Sequence, residues 1–96
     1  MSDAPLFALG QTVVTPGALQ ALIRVDRTGE LLVSLLARHQ AGDWGEIPEE
    51  DEIENQRSLA HGWRLLSAYT IAPGVKVYVI TEADRSATTL LLPDEY

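Results

Sequence analysis

Ninety-six residues, 46% hydrophobic and 22% charged, suit one globular domain spanning 1–96 with a single core, and exclude a disordered chain. Without cysteine there is neither a disulfide framework nor a thiolate metal site, and His39 and His61 are too few for a histidine-only one, although carboxylates could complete one; no metal or other cofactor is expected. A net charge of −7 repels phosphate backbones and disfavours direct nucleic-acid binding.

The opening Met1-Ser2-Asp3-Ala4-Pro5 carries an acid and no basic region, and only a short apolar patch follows. With no secretory signal or membrane span in view, a cytoplasmic chain is expected. Residues 1–10 read as a loosely packed arm that Leu6, Phe7 and Leu9 can anchor. Gln11–Val14 is a candidate short strand. Thr15-Pro16-Gly17 starts a helix, with threonine as N-cap and proline in the first turn, and Leu19, Leu22 and Ile23 follow at helical spacing. Asp26-Arg27-Thr28-Gly29 breaks the pattern.

In the second helix, capped by Thr28, the side chains of Leu31, Leu32, Leu35, Leu36 and His39 form one apolar face, and Gly42 supplies the left-handed residue that ends it. Pro48 opens a third, with Ile53, Gln56 or Arg57, Leu59 and Ala60 expected inward and Gly62 closing it. Six of the fourteen acids (Glu46, Glu49, Glu50, Asp51, Glu52 and Glu54) fall within nine residues here. Carboxylates in a first turn favour the helix dipole, and the same cluster can dock on a basic surface.

From Trp63 the period becomes two. Trp63, Leu65, Ser67, Tyr69 and Ile71 alternate with Arg64, Leu66, Ala68 and Thr70; after the Ala72-Pro73-Gly74 turn, Val75, Val77 and Val79 alternate with Lys76, Tyr78 and Ile80. The Thr81–Thr89 loop then leads to Leu90-Leu91-Leu92. The expected fold is therefore α+β: two or three N-terminal helices packed on a three-stranded antiparallel meander in the C-terminal half. Leu66, Tyr78 and Ile80 give its second face apolar character. That face invites a partner or a homodimer through the sheet face, unless the arm with Phe7 and Leu9 covers it.

Three constellations could carry chemistry. His39 with Asp43 and Trp44 is half of a general acid–base pair, or else a histidine that closes an apolar stripe. Ser67 lacks the glycine-flanked elbow of a serine hydrolase, and Tyr69 beside it reads as a buried tyrosine with a satisfied hydroxyl. In the loop, Glu82, Asp84, Arg85 and Ser86 offer a carboxylate or phosphate clamp through Arg85, or a turn in which Asp84 bonds the backbone and Arg85 pairs with Asp84 or Glu82.

The segments His39-Gln40-Ala41-Gly42-Asp43-Trp44-Gly45, Asn55, His61–Tyr69, Ile80–Thr89 and Leu92–Tyr96 resemble a small family carried on bacterial plasmids and integrated mobile elements, labelled plasmid-related proteins or after neighbouring restriction–modification genes. The resemblance runs from about Leu9 onward. It implies a setting and no mechanism, and the chain carries no methyltransferase motif. The expected function is a non-enzymatic, protein-binding module, regulatory or anti-defence, that binds a protein partner through Glu49, Glu50, Asp51 and Glu52, with Glu82, Asp84, Arg85 and Ser86 as a second binding cluster. The alternative is a small toxin-like ribonuclease that uses His39, Tyr69 and Arg85.

Overall fold

The computed structural model describes residues 4–25 and 27–96. Met1 to Asp3 of the expected arm and Asp26 of the expected break lie outside them. Three helices and four strands follow in the order β1 (Gln11–Val14), α1 (Pro16–Arg24), α2 (Thr28–Gln40), α3 (Glu49–His61), β2 (Leu65–Ala72), β3 (Val75–Thr81) and β4 (Ala87–Leu91), before a 3-10 turn at Pro93–Glu95. The α+β class is as expected, but the sheet is not a three-stranded antiparallel meander. It has four strands in the order β1-β4-β3-β2. β2, β3 and β4 run antiparallel, and β1 joins parallel to β4, with Gln11 opposite Ala87 and Val14 opposite Leu90. β1 lies far from β4 in sequence, so no local turn signal announces the pairing.

β4 begins at Ala87 rather than Leu90, because β-branched Thr88 and Thr89 extend the ladder opposite Thr81 and Ile80. The loop between β3 and β4 contracts accordingly to residues 82–86.

α1 and α2 cover one face of the sheet. Ala18 and Leu22 from α1 and Leu35 from α2 form the core with Tyr69, Val77, Val79 and Leu90. Each large aliphatic side chain among these contributes about 1.5–3 kcal/mol on burial. Thr15 caps α1 as expected, its hydroxyl accepting from the Ala18 N–H at 3.2 Å, while Glu95 holds that hydroxyl at 2.6 Å. α2 starts one residue early: Thr28 is already helical and Arg27 takes the cap position, its carbonyl accepting from Leu31 N–H.

α3 departs most from expectation. Asn55 and Ser58 are its buried residues and Leu59 is half-buried, whereas Gln56, Arg57 and Ala60 are exposed and Ile53 is 48% exposed. The cause is where it docks. The Asn55 amide donates to the Leu66 carbonyl at 2.7 Å and accepts from the Leu66 N–H at 3.1 Å. α3 therefore meets the polar edge of β2, where an amide fits and an aliphatic side chain does not.

The chain between α2 and α3 closes more of that edge. Ala68 N–H donates to the Trp44 carbonyl, Glu46 N–H donates to the Ala68 carbonyl, and the Thr70 N–H reaches the Glu46 carboxylate. Gly45 permits this approach. Its φ is 74°, and a Cβ there would sit 2.0 Å from the Ala68 oxygen.

Of the two arm residues expected to cover the second face, Phe7 does not lie there. Phe7 packs on the helix side, its ring 5.1 Å from that of His39 and 6.2 Å from that of Trp44. On the second face Ile80 and Leu91 are buried, and the C-terminal segment reaches it, the Tyr96 ring meeting that of Tyr78 edge-on at 6.0 Å.

Candidate functional site

The most concentrated polar chemistry lies inside the protein. His39, on the last turn of α2, is fully buried with Ser67, Thr81 and Thr88, which belong to β2, β3 and β4. Strand register places Thr81 opposite both Leu65 and Thr88, so the four side chains meet on the helix-facing side of the sheet. Nδ1 of His39 lies 2.5 Å from the Ser67 hydroxyl, Nε2 lies 2.9 Å from that of Thr81, and Thr81 lies 2.7 Å from Thr88. Thr88 donates to the Leu9 carbonyl at 2.7 Å.

Counting protons orders this network. Thr88 gives its one hydrogen to Leu9, so Thr81 must donate to Thr88. Nε2–H of His39 must then donate to Thr81, and Nδ1 accepts from Ser67. His39 is thus neutral and protonated on Nε2. Burial, reinforced by the Arg85 cation, lowers its pKa to about 4. Phe7 and Trp44 seal the ring on two sides. The Ser67 hydroxyl is fully buried, so no substrate reaches this pair from the surface as folded.

Asp43 does not orient His39. It takes Arg38 instead, at 2.7 Å from Nε, and each group stabilises the charge of the other: the Asp43 pKa falls and that of Arg38 rises, chiefly through this hydrogen bond. Tyr69 is buried and donates to the Asp43 carbonyl at 2.6 Å, with burial pushing its pKa up to about 12. The Arg38 guanidinium lies 4.5 Å over its ring.

Arg85 pairs with neither the Asp84 nor the Glu82 carboxylate. In a left-handed conformation (φ 61°) it bonds four carbonyls: Trp63 at 2.7 Å, Glu82 and Ala83 at 3.0 Å, and Ser58 at 3.1 Å. The same guanidinium ties the loop to the end of α3 and to the residues that lead into β2. Asp84 does bond the turn, accepting from Ser86, whose hydroxyl and N–H hold its carboxyl below the usual range. Arg85 also lies over the Phe7 ring at 5.7 Å, and that ring in turn meets His39 edge-on. His39, Arg85 and Tyr69 are all engaged inside the fold. Thr81, Thr88 and Asn55, which complete these networks, escaped sequence reading because their partners are set by strand register and edge docking.

Outside, the first turn of α3 presents Glu49, Glu50 and Glu52 to solvent and Asp51 in part. Among the described residues, none of the four carboxylates has an ion-pair or hydrogen-bond partner. Glu49, Glu52, Ile53 and Gln56 line a shallow groove open to solvent. No group of three or more acids and histidines among the described residues is placed to hold a metal, and no helix there is long and apolar enough to cross a membrane. No protein-family model, curated protein or solved structure matches this chain.

Proposed function

We propose that this chain is a non-enzymatic protein-binding module that offers the first turn of α3 to a basic protein surface, in a regulatory or anti-defence role within a mobile element. The observation that carries the proposal is the row of four unpartnered carboxylates at Glu49, Glu50, Asp51 and Glu52, beside half-exposed Ile53. Like charges on one turn repel, and a lysine- or arginine-rich partner relieves that repulsion while Ile53 adds apolar contact. The ribonuclease alternative needs a histidine, an arginine and a tyrosine free to meet a phosphate, and here each is taken up by internal bonds. No observation favours it.

The test is capture of the tagged protein's partner at low salt, by the native chain and by the Glu49→Gln, Glu50→Gln, Asp51→Asn, Glu52→Gln variant, each checked for helicity. A complex that weakens with salt and is lost in the variant supports the binding module. A complex indifferent to all four changes removes α3 as the contact, and RNA cleavage by the purified protein would overturn the non-enzymatic assignment.

A further inference from the structure

The two edges of the sheet differ. Along β2, from the Leu66 N–H to the Thr70 N–H, the outward backbone groups are taken up by Asn55, Trp44 and Glu46. β1 has no such cover. The N–H groups of Gln11 and Thr15 donate inward, to the Ser86 and Leu90 carbonyls. In a parallel ladder the alternate residues then face away, so Thr12 and Val14 direct both N–H and C=O outward. None of these four groups has a partner among the described residues.

The devices that normally discourage edge pairing are missing as well. Gln-Thr-Val-Val has no charge, proline or bulge, and Val13 is 41% exposed. Although the chain has fourteen acids, residues 4–25 contain none; the carboxylates nearest β1 lie beyond its ends, Glu95 bonded to Thr15 and Gly17 and Asp84 bonded to Ser86, so the strand itself presents no carboxylate to a second copy. α1, which leaves β1 through Thr15, adds exposed Leu19 and Ile23.

We propose that β1 pairs antiparallel with β1 of a second copy about a two-fold axis at Val13, joining two four-stranded sheets into one of eight strands. The register follows from the outward groups. Thr12 lies opposite Val14 of the other copy and Val14 opposite Thr12, giving four hydrogen bonds, with Val13 facing itself at a non-hydrogen-bonded position about 4.5 Å apart at Cα. A second copy fits better than an unrelated strand because the two outward residues flank Val13 symmetrically, and each supplies the donor and acceptor that the other needs. The covered edge at β2 stops the assembly at two.

The chain has no cysteine, so a single introduced thiol reads the register directly. Under mild oxidation Val13→Cys should form a disulfide-linked dimer at least tenfold faster than Val33→Cys, at the 68%-exposed Val33 of α2. By sedimentation, the native chain should show a monomer–dimer equilibrium. Thr12→Pro, which removes an N–H that the monomer does not use, should weaken it at least tenfold. Val13→Lys, which sets two ammonium groups face to face at an exposed position, should do the same should the proline disturb the fold. A native chain that stays monomeric at millimolar concentration overturns the proposal. So does a dimer insensitive to both changes, or a Val13→Cys variant that cross-links no faster than Val33→Cys.

Discussion

Protonation of His39 removes the acceptor that Ser67 needs, because an imidazolium carries hydrogens on both nitrogens. Its pKa in the folded state is about 4, below the ordinary 6.5, so the unfolded chain binds a proton between these values that the folded chain refuses. The stabilisation is fully present above pH 6.5 and is lost as pH falls towards 4, a loss of about 3 kcal/mol at 1.36 kcal/mol per unit. The depressed carboxyls of Asp43, Asp84, Glu46 and Glu95 lose their contributions only as pH falls through and below their own ordinary values, near 4. Urea unfolding at pH 7 and 5 should therefore show a lower midpoint at pH 5, and His39→Gln, less stable at pH 7, should flatten that slope. Arg85 is the second residue on which much depends. Arg85→Ala removes four hydrogen bonds at once, although the Ser58 and Glu82 carbonyls keep backbone N–H partners, and should cost about 2–4 kcal/mol in chemical denaturation. Arg85→Lys should not restore it, since an ammonium cannot span that fork. Of these residues the sequence marked His39 and Arg85 as unusual, but not their partners. An arginine beside aspartate reads as an ion pair, and only the folded loop shows that the carbonyls of Ser58, Trp63, Glu82 and Ala83 are better placed.

At the scale of elements, α2 was legible because its five apolar-face positions repeat over two turns on one sheet face. The β2–β3 hairpin was legible from its alternation and its Pro-Gly turn. α3 misled for the opposite reason: it docks on an edge, so its inward residues are Asn55 and Ser58 and hydrophobic periodicity points away from the truth. Asn55→Ala should cost about 2 kcal/mol and speed hydrogen exchange at the Leu66 amide, with amides of the β3–β4 ladder much less affected. An unchanged Leu66 rate would show that the edge is held without α3. Four residues at β1 could be named a strand from Val13 and Val14, but not placed. Their register depends on Thr88 and Leu90, late in the chain.

For the molecule as a whole, charge is segregated along the chain. Residues 55–81 contain no acid and carry Arg57, Arg64 and Lys76, whereas residues 46–54 hold six acids. Raising salt from about 0.05 to 0.5 M should therefore weaken a complex formed through α3 by at least tenfold, and leave association through uncharged β1 nearly unchanged. Isothermal titration for the first and sedimentation for the second read the two separately.

The parallel pairing of β1 with β4 also governs the order in which the chain can be completed during translation. Residues 9–15 leave the ribosome well before their partners: Leu9 waits for Thr88, and Gln11 and Thr15 wait for Ser86 and Leu90. The helices and the β2–β3 hairpin draw on nearer neighbours and can gather earlier. Residues 9–15 are thus made before α2, α3 and β2 yet locked in place after them, so a polypeptide halted before residue 86 keeps them open to proteases and chaperones however much of the rest has folded.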